Sequence, residues 1–140
     1  MIATHLDATF YCTREALKVM IAKQSGRIIN LGSIVGLTGI ELAADYGAAK
    51  GGIISFTKCV AREVVRHGIL VNCIAPGFIE TRLTAATMND PRRRDAALAR
   101  VPLGRFGTVE EMGALALFLA SPASGYIVGQ TLLADGGMLL

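Results

Sequence analysis

Three residues stand where they could move a proton to or from a carbonyl oxygen: Ser33, Tyr46 and Lys50, within SIVGLTGIELAADYGAAK. Ser33 follows a short β-branched run, Arg27–Leu31, and so falls at the carboxyl end of a strand, where open α/β sheets place their ligands. Tyr46 and Lys50 are four apart and share one face of a helix. A phenol ordinarily ionises near pH ~10. An ammonium ~4 Å away, at an effective dielectric of about 20, favours the phenolate by up to about 4 kcal/mol. That corresponds to roughly three pH units at most, enough for Tyr46 to act as a general acid–base near neutrality. Ser33 would orient a carbonyl or share developing oxyanion charge. Taken singly, a Tyr four before a Lys is ordinary on an amphipathic helix, and a Ser after a strand commonly caps a turn. Their order, with glycines between them, is what points to chemistry.

The elements that must position them follow from periodicity. Apolar residues recur at helical spacing from Ala3 to Ile21, and Ser25-Gly26 ends that run. Arg27–Leu31 reads as a buried strand, and Gly32, Gly36 and Gly39 mark a loop. A second helix is predicted from about Tyr46 to His67, with Ile53, Phe56, Val60, Ala61 and Val64 on one face and Gly68 as its stop. Leu70–Ile74 reads as another buried strand, closed by Ala75-Pro76-Gly77. A polar excursion through Asn89-Asp90-Pro91 precedes a capping box, Thr108 to Glu111. The helix it starts carries Met112, Leu115 and Leu119 and closes before Pro122. Gln130–Ala134 forms a last strand before Asp135-Gly136-Gly137. Strands alternating with helices predict an α/β fold with a parallel sheet. No repeat, linker or low-complexity tract divides the chain.

Composition narrows the function. Of 140 residues, 52% are hydrophobic and 18% charged, with a mean hydropathy of +0.49. Disorder is excluded, because disordered chains are poor in apolar residues. No run of about 18 apolar residues could span a membrane. Asp7 interrupts the place where a leader's apolar block would lie, so no signal peptide is expected. The apolar excess is large for one short domain, and part of that surface should pack against something outside these residues. The net charge of +3 is mild. Arg92, Arg93 and Arg94, flanked by Asp90 and Asp95, read as a solvated loop or helix end, with an anion-binding knot as the alternative. Nucleic acid is excluded as a partner, since aromatics are only 6% and no basic stripe exists. Cys12, Cys59 and Cys73 lack CxxC spacing, which disfavours a disulfide framework or a metal site. Buried free thiols in a reducing cytoplasm are expected.

Five blocks, in order, carry a resemblance: GRIINLGSIVG, YGAAKGGIISFTKCVARE, GILVNCIAPGFIETRL, VPLGRFGTVEEMGALALFLAS and YIVGQTLLADGG. Together they resemble the C-terminal half of short-chain dehydrogenases/reductases, and most closely the 3-oxoacyl-(acyl-carrier-protein) reductase branch. The resemblance implies the C-terminal part of a Rossmann-type doubly wound sheet, residues 1–140 forming one partial domain without the first βαβ units. It implies NAD(P)-dependent carbonyl reduction or alcohol oxidation, with NADPH favoured, on a small-molecule or acyl-thioester carbonyl. Tyr46 would be the proton donor–acceptor, Lys50 would lower its pKa and hold the nicotinamide ribose, and Ser33 would position the carbonyl. The Pro76-Gly77-Phe78-Ile79-Glu80-Thr81 loop would cradle the nicotinamide, through backbone at Ile79 and the Thr81 hydroxyl. Arg82–Arg105 would be a substrate lid, and the helices from Ala3 and Tyr46 would pair subunits into a dimer or tetramer.

Three departures qualify this. His5 occupies the usual position of an Asn that completes a proton relay to the lysine; His5 either keeps that relay or only packs. Where basic residues would dock an acidic carrier protein, the chain has Gln24 and His67, with Lys23, Arg27 and Arg66 beside them, which disfavours carrier protein as substrate. No G-x-x-x-G-x-G is present to receive a pyrophosphate at a helix N-terminus. Two readings follow: an oxidoreductase whose upstream half lies outside these residues, or a non-catalytic half-length module that assembles with intact homologues.

Overall fold

The computed structural model describes residues 1–140. Its centre is a three-stranded parallel sheet in the order β1-β2-β3, formed by Gly26–Leu31 (β1), Ile69–Pro76 (β2) and Thr131–Ala134 (β3). Gly26 pairs with Ile69 and Leu31 with Ile74, while Cys73 pairs with Thr131 and Pro76 with Ala134. The α/β fold expected from the alternating pattern is present. The last strand begins one residue later than predicted.

A π-helical turn, Ala3–Asp7, leads into helix α1, Ala8–Lys23, where one continuous helix was expected. A short helix α2, Val35–Thr38, replaces the predicted glycine loop. It forms because Gly36 N–H donates to Ser33 O (3.0 Å) and the Thr38 hydroxyl to Ile34 O (3.2 Å). Helix α3, Ala44–Val64, is the crossover to β2 and starts two residues before Tyr46. It buries Ile53, Val60, Ala61 and Val64 and continues into a 3₁₀ turn, Val65–His67. Gly68 then adopts φ +69°, and a Cβ there would sit 2.7 Å from Gln24 O, so glycine is required both by backbone conformation and by space.

The polar excursion is more ordered than a loop. It carries α4, Ala85–Met88, and α5, Pro91–Leu98. Asp90 caps α5 by accepting from the Arg92 and Arg93 N–H groups, and Pro91 occupies the first turn, where its missing donor costs nothing. Arg92–Arg94 are exposed on this first turn, with Arg93 near Asp90 (3.4 Å) and Arg94 on Asp95 (3.0 Å). They form a solvated helix end. Helix α6, Val109–Ala120, begins with the predicted capping box.

The core lies between α3 and the sheet. Val60, Ala61, Val64, Ile69 and Val71 form one cluster; Ile53, Ile54 and Cys73 form another, with Leu6 packed against it. Buried thiols were expected throughout, but only Cys73 is buried; Cys12 and Cys59 are exposed, Cys12 at the open cavity between α1 and β1. Only 25 of 140 residues are buried, so much apolar surface stays open. Leu31 on the outer edge of β1 and Phe10, Tyr11 and Val19 on α1 are part of it. No helix is long and apolar enough to cross a membrane.

One pH dependence arises in this scaffold. Glu111 accepts from the Arg105 guanidinium (2.6 and 3.0 Å) and from Thr108 N–H (2.9 Å), which holds its carboxyl at about 2, well below the ordinary 4.5. A depressed carboxylate contributes stability that is present above its unfolded pKa and is lost as pH falls through the folded one. Circular dichroism between pH 4.5 and 2 should therefore show progressive destabilisation, and Glu111→Gln should flatten that interval. An unchanged acid profile in the variant would show that the cluster adds nothing.

Candidate active site

The carboxyl ends of β1 and β2 meet side by side. Gly32 N–H donates to Ile74 O (2.8 Å) and Ile34 N–H to Pro76 O (3.2 Å), which places the Ser33 turn against the Pro76-Gly77 turn. Ser33 is buried, and its Oγ accepts from Val35 N–H (3.2 Å), which fixes the start of α2. The hydroxyl retains a proton to donate.

Helix α3 brings Tyr46 and Lys50 to this end. Tyr46 is half-buried, and Lys50 is buried with only 6% of its surface exposed. The ammonium donates to Leu31 O at 2.8 Å, two residues before Ser33, and lies 5.7 Å from the Tyr46 ring centroid. Lys50 therefore stands over the ring face within cation–π range, anchored to the sheet edge. Burial pushes its pKa below the ordinary lysine value, while the nearby Cys73 thiol works the other way. An ammonium has three donors, and one carbonyl leaves two for a ligand.

His5, on the π-helical turn, completes the group. Its ring meets the Tyr46 ring edge-on, with centroids 5.9 Å apart. Burial, then the Lys50 charge, then the terminal amine push His5 below its ordinary 6.5. His5 and Lys50 also line a cavity of about 590 Å³ between α1 and β1, with Asn30 and Ile53 in its wall. The wider turn at Ala3–Asp7 is the kind of π-bulge that recurs at functional sites, and helical periodicity alone gives no sign of it.

The loop after β2 is held from both sides. Gly77 N–H donates to Ala134 O (3.0 Å), and a Cβ on Gly77 would lie 2.8 Å from Asp135 Cα. Ile79 is buried and bridges Gly107 in parallel, through Gly107 N–H to Phe78 O (2.9 Å) and Glu80 N–H to Gly107 O (2.9 Å). The Ile79 N–H makes no backbone bond within the chain and remains available. Thr81 is exposed, and its hydroxyl lies 3.3 Å from that of Thr84. Thr84 was not anticipated: its hydroxyl donates to Ile79 O (2.6 Å) and accepts from Thr81 N–H (2.9 Å), so it shapes the loop that presents both residues. A threonine in a polar stretch gives no signal for that role.

A family model described as enoyl-(acyl carrier protein) reductase matches residues 1–139. The chain belongs to the short-chain dehydrogenase/reductase family. It is 48% identical to the 3-oxoacyl-(acyl-carrier-protein) reductase of Vibrio cholerae and 45% identical to that of Escherichia coli, each over its whole length. In both cases it spans 57% of the relative, so this member covers little more than half the length of the curated proteins it matches. Among solved structures it is similar to a gluconate 5-dehydrogenase from Burkholderia cenocepacia in complex with NADP and tartrate. That likeness has a TM-score of 0.92 at 39% identity and covers 96% of this chain and 52% of the other. The family is one of oxidoreductases, and the parallel sheet seen here is its fold.

Of the residues singled out from sequence, Tyr46, Lys50 and His5 are brought into one cluster. The Ser33 hydroxyl makes no hydrogen bond to that cluster; Ser33 lies two residues beyond Leu31, whose carbonyl accepts from Lys50, and Pro76, Gly77, Ile79 and Thr81 form the adjoining loop.

Proposed function

We propose that residues 1–140 form the reactive half of an NAD(P)-dependent reductase that interconverts a carbonyl and an alcohol. A 3-oxoacyl thioester or a related small carbonyl compound is the substrate. The observation that carries this reading is the convergence of Tyr46, Lys50 and His5 beside the carboxyl end of β1. The names of the relatives support the substrate class, and NADP in the dehydrogenase complex supports the choice of NADPH.

The residues fit the nicotinamide end of such a cofactor. Ile79 offers an uncommitted N–H for a carboxamide oxygen, and Thr81 offers an exposed hydroxyl beside it. Pro76 and Gly77 fix the turn that aims both. Lys50 has free donors for ribose hydroxyls. A bound nicotinamide supplies the hydride. Tyr46 gives its proton to the carbonyl oxygen as negative charge develops there, and takes one back in the oxidative direction. Ser33 donates to the same oxygen, and the Lys50 charge stabilises the phenolate left behind. His5 can accept or donate beside them and relays the proton towards solvent. Arg82–Arg105 covers the substrate. Exposed, unpaired Cys12 and Cys59 suit a reducing cytoplasm.

The pyrophosphate-binding turn of such a site is absent from this sequence. The proposal is therefore that the 140-residue chain by itself binds no NADPH and reduces no acetoacetyl ester, and that an upstream segment supplies the rest. Calorimetric titration with NADPH tests this: no saturable heat is expected, and saturable binding would overturn it. Reading the gene in frame upstream of Met1 should reveal a glycine-rich turn.

A second reading is favoured by a different observation. Phe10, Tyr11 and Phe56 form an aromatic cluster across α1 and α3, with Phe10 and Tyr11 about half exposed. That face suits pairing with another copy as a dimer or tetramer, which a non-catalytic assembly module would also use. A stop codon upstream and an intact mass of 14.7 kDa from native cells would favour it.

A further inference from the structure

The Ser33 turn and the Tyr46–Lys50 helix come from separate elements, and their spacing has to be fixed by something other than the reactive side chains. Two glycines make that contact. A Cβ on Gly36 would fall 2.6 Å from the Lys50 carbonyl carbon, 2.7 Å from Gly51 N and 2.9 Å from Lys50 O, all backbone atoms that cannot swing aside. From the other side, a Cβ on Gly51 would fall 3.0 Å from Gly36 O. The two main chains therefore touch directly at Lys50. Gly36 is itself tied to Ser33, since its N–H donates to Ser33 O at 3.0 Å. Lys50 is held at its other end by its bond to Leu31 O, 2.8 Å. The neighbouring contact is looser: a Cβ on Gly47 would lie 3.7 Å from Val35 O, an ordinary distance.

We propose that the Gly36–Gly51 main-chain contact is a positioning clamp that sets the distance between Ser33 and the Tyr46–Lys50 pair. Gly36 is its critical member. Neither glycine needs a positive φ, so the requirement is for space and not for backbone freedom. Adding one methyl at Gly36 pushes α3 away from the β1 end by a few tenths of an ångström to an ångström, carrying Tyr46 and Lys50 with it. Misplacement on that scale costs up to about 100-fold in rate. Because this inference rests on the proton-transfer reading of Tyr46, the test separates the two.

The experiment compares Gly36→Ala, Gly51→Ala, Gly47→Ala and Tyr46→Phe in the longest polypeptide the gene encodes around this chain. It follows NADPH-dependent reduction of acetoacetyl-CoA across pH, and the Lys50 ammonium signal by ¹⁵N NMR. Gly36→Ala should lower kcat about 10- to 100-fold, raise the KM for NADPH by a smaller factor because Lys50 moves with Tyr46, and shift the pH profile. It should also weaken the ammonium signal as the bond to Leu31 O is lost. Gly51→Ala should do the same to a smaller degree, and it carries the test if Gly36→Ala does not fold. Gly47→Ala should match the parent. A Gly36→Ala protein with the parent's kcat, pH profile and ammonium signal overturns the clamp. Turnover surviving in Tyr46→Phe would instead overturn the proton-transfer reading, and the ammonium signal would still decide the clamp.

Discussion

In the longest polypeptide the gene encodes around residues 1–140, Tyr46→Phe should lower kcat for carbonyl reduction by about 10²- to 10⁴-fold, the range that general acid–base groups typically contribute. KM should hardly change, because the substitution deletes a proton carrier and little else. The ring contacts with His5 at 5.9 Å and with the Lys50 ammonium at 5.7 Å do not involve the hydroxyl. The side-chain bond at Tyr46 runs from its main-chain N–H to Asp45 Oδ1 (2.8 Å) and survives the change. Loss confined to kcat is the signature of an interaction made only in the transition state. Steady-state kinetics with a melting curve on the same sample checks this. A protein that melts normally and turns over normally would remove Tyr46 from the chemistry.

The largest effect on stability is expected at Ile53, one turn after Lys50 on α3. It is 1% exposed and packs with Ile54 and Cys73, and Leu6 from the π-helical turn lies against the same cluster. Truncating a buried Ile to Ala typically costs about 2–5 kcal/mol, through lost transfer energy and the cavity left behind. Against a typical total of about 5–15 kcal/mol, with only 25 residues buried here, that is a severe loss. Urea denaturation should show Ile53→Ala shifted strongly to lower midpoint, while Val65→Ala, at a position 43% exposed, moves little. Equal midpoints would mean that the α3–sheet contact is not what holds the fold.

The parts of the molecule legible in its sequence are those governed by burial and by local chemistry. Arg27–Leu31 and Leu70–Ile74 are β-branched runs and become paired parallel strands. Thr108 and Glu111 can satisfy each other's main-chain donors only at a helix start, and they do so. The Tyr46–Lys50 spacing places both on one helical face, as expected. Features fixed by contacts between distant segments were not legible. Nothing in the spacing of Lys50 indicates that its ammonium would reach Leu31 O, and nothing in Gly36 or Gly51 indicates that their main chains would touch. Cys12 and Cys59 are apolar by type, yet both are exposed, Cys12 because the cavity it lines beside β1 is open. The Asp90-Pro91 pair did carry a helix-start signal, a cap followed by a residue with no donor to lose, and α5 begins there. Gln24 and His67, which stand where positive charge is expected, are partners at 3.0 Å, a contact across 43 residues that the sequence does not signal.

The proposed chemistry is one transfer of atoms: hydride to a carbonyl carbon, with the proton supplied by Tyr46. The direct measurement gives NADPH deuterated at C4 of the nicotinamide, together with acetoacetyl-CoA, to the longest encoded polypeptide containing residues 1–140. Mass spectrometry of the product then reads the result. Deuterium on the new hydroxyl-bearing carbon, with transfer nearly abolished by Tyr46→Phe, is the predicted outcome. No transfer by the parent protein, or undiminished transfer by the variant, would contradict the assignment of this site.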